Sequence, residues 1–140
     1  MKKASLKTIA SKMKNLDFCM LITQDGRNTL HARPMSNNGQ VTYNGTSWFF
    51  TYLNSNKVRQ VKKNAGVSLI FQGDGMLMIE CYGKASIVRD KAMMEEHWLD
   101  ELNRWFPKGI ETPGICLLKV EAQRVCFWDK KGEGEYRTQK

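Results

Sequence analysis

Short apolar runs of β-forming residues, each bounded by a turn signal, recur along this 140-residue chain. Asp25 and Gly26 form one such turn signal, and Asn44 with Gly45 is a strong hairpin signal. The runs are residues 18–23, 30–35, 48–52, 67–71, 76–88, 115–120 and 124–128. Connections of this length favour antiparallel hairpins, and so many strands need their edges covered. The sequence therefore predicts a closed or split β-barrel of about six to seven mostly antiparallel strands.

Helical spacing of apolar residues marks three further segments. The predicted helices are residues 6–13, 55–63 and 91–105. The last of them begins after the N-cap residue Asp90 and ends before Pro107. We therefore predict one mainly β (α+β) domain over residues 1–129, in which helices flank the barrel. Residues 130–140 have no apolar periodicity, and we expect them to form a loose C-terminal tail.

Residues 48–57, W-F-F-T-Y-L-N-S-N-K, place the start of a helix directly after a β-strand. Ser55 and Asn56 are residue types that cap helices, and the free N–H groups of a first helical turn favour an anion. Thr51 and Ser55 add hydroxyl donors, and Lys57 adds a positive charge. The junction is therefore a candidate phosphate site. An ordinary strand-to-helix turn with a capping serine and a solvated basic face fits the same residues.

The segment L-H-A-R-P-M, residues 30–35, is a second candidate. Pro34 lacks a backbone donor, so the sequence predicts an edge strand, a bulge or a strand end at this position. Arg33 would then point to one face of the strand. A ligand could replace the missing neighbouring strand there, or the arginine could simply face solvent.

Charge and composition limit the kinds of partner. The formal net charge of +8 indicates an acidic partner, which could be nucleic acid, a phosphorylated cofactor or an anionic metabolite. The longest apolar runs are too short to span a membrane, and the N-terminal M-K-K-A-S-L-K lacks the apolar core of a secretory signal. We therefore expect a cytoplasmic protein without a membrane partner.

Cysteine and histidine are too few and too scattered to predict a metal site. No pair of cysteines has the C-x-x-C spacing, and the histidines are His31 and His97. Each cysteine lies in apolar, strand-like surroundings, so we predict buried, reduced thiols and neither disulfides nor metal. The cysteines are Cys19, Cys81, Cys116 and Cys126.

Five segments occur in an order that resembles a known family. They are L-H-A-R-P-M, W-F-F-T-Y-L-N-S-N-K-V, Y-G-K-A, W-F-P-K-G and F-W-D. On these segments the chain resembles the FMN-binding split-barrel family related to pyridoxamine 5′-phosphate oxidase, and the resemblance runs from about residue 6 to residue 129. More narrowly, it resembles the bacterial general stress protein branch of that family.

This resemblance implies a homodimer with FMN bound at the subunit interface, and a small-molecule substrate or electron donor. Arg33, Pro34 and Met35 would line the flavin. Ser55, Asn56 and Lys57 would form the phosphate-binding turn. The aromatic strand would contribute Trp48, Phe49 and Thr51, and the aromatics approaching from the partner chain would be Trp105, Phe106 and Trp128. No residue is assigned a catalytic role.

The chain also departs from pyridoxamine 5′-phosphate oxidase itself. It lacks the arginine-rich C-terminal end that grips the substrate phosphate, and Met78 replaces a glutamine of the oxidase. The resemblance thus implies FMN binding and a flavin-dependent oxidoreductase or reductase without naming its substrate. Two alternatives use the same groove, namely a non-catalytic flavin-binding stress or sensor protein and a deazaflavin-dependent reductase. Binding of nucleic acid to a small barrel is a third alternative. The internal basic cluster, K-V-R-Q-V-K-K at residues 57–63, lies where a phosphate is already expected, so we predict no nucleic-acid partner.

Overall fold

The computed structural model describes residues 1–36, 39 and 41–138, and all structural statements below concern these residues. Helix α1 is Leu6–Met13, α2 is Asn56–Lys63 and α3 is Lys91–His97. The strands are β1 (Phe18–Gln24), β2 (Leu30–Ser36), β3 (Thr46–Tyr52), β4 (Gly66–Gln72), β5 (Met78–Val88), β6 (Ile115–Asp129) and β7 (Gly132–Arg137). Two 3₁₀ segments, Asp100–Arg104 and Gly109–Glu111, lie between α3 and β6.

All seven strands belong to one antiparallel sheet in the order β2-β1-β4-β5-β6-β3, with β7 also paired to β6. The long strand β6 pairs through its first half with β3 and through its second half with β7. Strands β2 and β3 end the sheet order, yet side chains from both line one cleft. The curled sheet therefore leaves its opening between β2 and β3. This confirms the predicted split barrel with flanking helices.

The barrel interior is filled by a single large apolar cluster. Ile9 of α1 and Val61 of α2 cover it from the helices, and side chains from five of the strands fill the rest. A smaller cluster joins β3, α3 and β6 beneath the 3₁₀ segments, with Met94, Phe106 and Leu117 at its centre. Burial of this apolar surface provides the main driving force for folding.

The cysteine prediction is confirmed for all four side chains, which are buried and unpaired. Burial raises the pKa of the Cys19 thiol to about 12 and that of Cys81 to about 11. Both thiols are therefore protonated at neutral pH and are poor nucleophiles.

Strand β5 has a bulge at Gly83. The register between β5 and β6 shifts between Tyr82 and Gly83. A Cβ at position 83 would lie 2.2 Å from the backbone oxygen of Glu121. Glycine is therefore required where the two strands approach most closely.

Helix α3 is shorter than predicted. It ends at His97, whereas the sequence pattern predicts a helix to residue 105. The backbone of Trp98 is extended, and its ring packs against Phe50 and Phe106 with centroid separations of 5.0 and 6.2 Å. Tertiary packing of Trp98 thus breaks the helix, and a 3₁₀ segment replaces its last turns.

The predicted loose tail is wrong for residues 132–137, which form β7. This strand covers the edge of the second half of β6, and Tyr136 packs against the main core. A Cβ at Gly134 would lie 2.6 Å from the Phe127 ring, so a glycine here lets that ring approach the strand. Edge coverage and close packing therefore order a segment that has no apolar periodicity. The last two residues of the predicted tail, Gln139 and Lys140, lie outside the described residues.

Candidate functional site

A cleft of about 370 Å³ opens where β2 and β3 face each other at the split of the barrel. This volume lies in the range of small-molecule sites. The side chains that line it are Phe18, Pro34, Met35, Ser36, Phe50, Thr51, Tyr52, Lys57, Leu102, Trp105 and Phe106. The cleft is thus largely apolar and aromatic, and Lys57 is the single cationic residue among the described residues that line it.

The N-terminus of α2 forms one end of the cleft. Lys57 lies in the first turn and donates a 3.1 Å hydrogen bond from Nζ to Oγ1 of Thr51 on β3. Ser55 has the extended backbone of an N-cap, but its hydroxyl makes no capping hydrogen bond. The Oγ atom of Ser55 is buried and has no hydrogen-bond partner among residues 1–36, 39 and 41–138. A buried hydroxyl without a partner is costly, so this end is suited to a ligand that hydrogen-bonds to it.

Arg33 reaches the same helix from β2. Its guanidinium donates to Oγ1 of Thr23 at 2.7 Å and to Oε1 of Gln60 at 3.1 Å. Burial, and then the nearby charge of Arg33, lowers the pKa of Lys57. Burial also lowers the pKa of Arg33. In the part of the chain that the structure describes, no carboxylate forms a salt bridge with either cation. Two like charges near each other without a counterion favour binding of an anion.

The other walls of the cleft are flat and apolar. Pro34 and Met35 lie on the β2 side, and Tyr52 packs on Phe106 with a centroid separation of 5.2 Å. Trp105 is 53% exposed and stands at the rim, where Arg104 lies 5.4 Å from its ring. Aromatic and aliphatic walls of this kind suit a planar ring system.

The structure brings together most of the residues predicted to bind the cofactor. The predicted residues that line the cleft are Pro34, Met35, Thr51, Lys57, Trp105 and Phe106. Trp105 and Phe106 line the cleft of their own chain, whereas the resemblance implied that they approach the flavin from the partner chain. Arg33, Ser55 and Asn56 lie beside its cationic end, although they are not part of its lining. The Asn56 side chain accepts a hydrogen bond from Arg59 within α2.

Three aromatic predictions need correction. Phe49 is 1% exposed and belongs to the main core, because alternation along β3 turns its side chain inward, away from the cleft. Trp48 lies on the other face and stacks on His97 with a centroid separation of 3.9 Å, beside a separate cavity of about 50 Å³. Phe106 does line the cleft, but it is buried by its own chain through Phe50 and Trp98 and is not an exposed aromatic.

Trp128 lies outside the cleft of its own chain. It is 41% exposed near the end of β6, and its cross-strand neighbour on β5 is the exposed Met78. A contact with the flavin of a partner chain stays a prediction.

Sequence reasoning missed two neighbouring cleft residues, Phe50 and Tyr52. The period-2 alternation of a strand places them on the face opposite Phe49, and this pattern could have identified them. It also missed Gln60 and Thr23, which hold Arg33. No local signal marks these two, because their contact joins α2 to β1.

Comparison with known proteins decides the family. A family model described as "Pyridoxamine 5'-phosphate oxidase like" matches residues 4–138. The chain belongs to the pyridoxamine 5′-phosphate oxidase-like family. The match extends over the whole barrel, from the residues before α1 to the end of β7, and it confirms the resemblance stated from the sequence.

Relatives of this pyridoxamine 5′-phosphate oxidase-like chain include general stress proteins. General stress protein 26 of Bacillus subtilis (strain 168) is 26% identical over 101 residues, which are 68% of each protein. The structure of the general stress FMN/FAD binding protein from Xanthomonas citri has a TM-score of 0.75 at 25% identity, with 89% of this chain and 87% of that chain covered. A general stress family protein from Xanthomonas campestris pv. campestris has a TM-score of 0.76 at 25% identity, with coverage of 91% and 90%.

Neither a metal site nor a membrane-spanning helix occurs among the described residues. Among residues 1–36, 39 and 41–138, no group of His, Cys, Asp or Glu side chains could hold a metal ion. Within the same ranges, every helix is too short or too polar to cross a bilayer.

Proposed function

We propose that this protein binds FMN in the cleft between β2 and β3 and is a flavin-dependent oxidoreductase of a small-molecule substrate. The single observation that carries the proposal is the cationic end of the cleft. There Lys57 and Arg33 have no carboxylate partner among the described residues, and Ser55 has an unpaired buried hydroxyl. A phosphate monoester satisfies all three groups together, with the first N–H groups of α2.

The cleft residues fit the two chemically different parts of FMN. Lys57 and Ser55 would hold the phosphate, with Arg33 contributing positive charge. Pro34, Met35 and the aromatic wall that includes Tyr52 would hold the ring system. Bound flavin supplies the redox chemistry, and the protein supplies binding, orientation and exclusion of water. The description of the Xanthomonas citri protein as FMN/FAD-binding supports a flavin in this fold.

Identification of a bound cofactor tests this proposal directly. We expect purified protein, after addition of FMN and removal of excess, to show a flavin absorption spectrum and to release the mononucleotide on denaturation. We expect NADH or NADPH to bleach that spectrum. Bound flavin that no donor reduces would favour a storage or sensor role. A deazaflavin spectrum would show that the cofactor is a deazaflavin and not FMN. If the protein retained neither ligand, the proposal would be contradicted.

A homodimer follows from the exposed apolar surface. The apolar residues exposed on the strands and directly after the first 3₁₀ segment are Phe18, Met20, Leu30, Tyr52, Met78, Trp105 and Trp128. Exposed apolar patches of this kind mark interaction sites, and a second copy of the chain is the partner that we propose.

Four buried, unpaired cysteines also fit a reducing compartment such as the cytoplasm.

Sedimentation should therefore show a stable dimer at micromolar concentration. Trp128→Glu places a charge on the sheet face beside Met78 and should shift the protein toward monomer. Met76→Glu is the matched control, because Met76 is 75% exposed in the loop before β5. A wild-type monomer, or equal effects of the two substitutions, would contradict the dimer proposed here.

A further inference from the structure

A closed triangle of hydrogen bonds joins β1, β2 and α2 beneath the cationic end of the cleft. Thr23 donates from Oγ1 to Oε1 of Gln60 at 2.5 Å. One guanidinium nitrogen of Arg33 donates to Thr23 Oγ1 and to the backbone oxygens of Leu21 and His31, and the other donates to Gln60 Oε1. Thr23 is fully buried and Gln60 is 9% exposed. The guanidinium is therefore held in one position by groups that are themselves fixed.

Every acceptor around Arg33 is neutral. The four acceptors are a hydroxyl, a side-chain amide oxygen and two backbone carbonyls. Arg33 is half-buried, and a guanidinium that is partly withdrawn from water is commonly paired with a carboxylate, which would cancel its charge. Here the hydrogen bonds fix the position of Arg33 while its full positive charge remains available to a ligand.

Gln60 also connects this charge to the ligand end of α2. Lys57 lies three residues before Gln60, so the two side chains emerge from neighbouring positions on the helix surface. Burial lowers the pKa of Lys57, and the nearby charge of Arg33 lowers it further, so the two cations repel each other. The Gln60 amide thus holds Arg33 in place against the charge repulsion between Arg33 and Lys57.

We propose that Gln60 is a positioning residue that determines specificity for phosphorylated flavin. Its amide oxygen fixes Arg33, and its neutrality leaves the charges of Arg33 and Lys57 for the phosphate. This inference rests on the proposed function, since FMN is the ligand whose phosphate is recognised. Glutamate has the same shape as glutamine, and at position 60 it would keep the hydrogen bonds but neutralise the cationic end.

Gln60→Glu tests the inference through the ratio of FMN affinity to riboflavin affinity. We expect FMN binding to weaken roughly tenfold or more, since a carboxylate in contact with Arg33 and three residues from Lys57 on α2 cancels much of their attraction for phosphate. Riboflavin, which has no phosphate, should bind as it does to wild type. The Tm should not fall, because the new carboxylate pairs with Arg33. A merely structural role of Gln60 would leave the affinity ratio unchanged.

Two further variants serve as controls in the same titrations. Gln60→Met removes the acceptor without adding charge, and we expect a smaller loss of FMN than for Gln60→Glu. Gln72→Glu adds the same charge at the exposed end of β4, and we expect no change in either affinity.

The outcomes separate the inference from the proposed function. If wild type binds FMN no more tightly than riboflavin, the proposed phosphate site is wrong. If wild type prefers FMN but Gln60→Glu keeps that preference, or weakens both ligands equally, only the role of Gln60 is overturned.

Discussion

Lys57→Ala should weaken FMN binding by roughly ten- to a hundredfold, which corresponds to the loss of one charge-assisted contact of about 1.5–3 kcal/mol. In the part of the chain that the structure describes, Lys57 is the one cationic residue in the lining of the cleft, and it lies in the first turn of α2. Binding of riboflavin should change little, because that ligand lacks the phosphate. Titration of both ligands by flavin fluorescence measures the two affinities.

Folding should survive this substitution. Burial and the charge of Arg33 lower the pKa of Lys57, so the charged lysine is held in an unfavourable environment when no anion is bound. Its removal costs one hydrogen bond to Thr51 and relieves that repulsion. We therefore expect the free energy of unfolding without ligand to stay within about 1 kcal/mol of wild type.

Lys63→Ala is the matched control, since Lys63 is an exposed lysine in the last turn of the same helix. Lys62 is less suitable, because its charge acts on Cys116, as the charge of Lys57 does. If Lys63→Ala weakens FMN as much as Lys57→Ala does, general electrostatic attraction explains the binding. If Lys57→Ala weakens riboflavin equally, the capping-turn interpretation of residues 48–57 is correct and the phosphate assignment is wrong.

Gly83→Ala should reduce the free energy of unfolding by about 3 kcal/mol. The added Cβ would lie 2.2 Å from the backbone oxygen of Glu121 and 3.1 Å from Cα of Ala122. These are backbone atoms of β6, so relief requires the two strands to separate at the bulge. Strand β6 pairs with β3, β5 and β7, and a shift there would disturb much of the sheet. Urea unfolding of the two proteins measures the difference.

Gly66→Ala, on the adjacent strand β4, provides the comparison. Its Cβ would lie 3.1 Å from the Tyr82 hydroxyl and 3.4 Å from the Asn64 side-chain oxygen, both of which are ends of side chains that can move. We expect a loss of about 1 kcal/mol or less for this variant. Equal stability losses for the two alanine substitutions would show that close approach of the β5 and β6 backbones is not what requires Gly83.

The strand pattern was predictable because it depends on neighbours along the chain. Alternation of apolar residues and the turn signal at Gly26 predict the β1–β2 hairpin that the sheet contains. The hairpin signal at Gly45 is wrong, because residues 41–45 form no strand and β3 pairs with the distant strand β6. Pro34 predicts a sheet edge, and β2 is an edge strand on the cleft. The N-cap residue types before Lys57 predict the start of α2 to within one residue. Each of these features is encoded within a few residues.

Contacts between segments that are far apart in the sequence determined the features that the strand pattern did not predict. The end of α3 depends on the packing of Trp98 against Phe50, and β7 forms because an open edge of β6 is available to it. Neither effect leaves a periodic signal in the segment concerned. The physical reason is that burial and strand pairing between distant segments outweigh weak local propensities.

The candidate site divides in the same way. The sequence by itself determined that a basic helix start follows an aromatic strand and that an arginine lies beside an edge proline. Only the tertiary structure decided which of the two faces of β3 packs in the core, and that Gln60 holds Arg33 beside Lys57. These facts depend on closure of the barrel, which brings β2, β3 and α2 together from separate parts of the chain. The sequence therefore shows which positive charges the site contains, and the fold determines that they lie together at one end of the cleft.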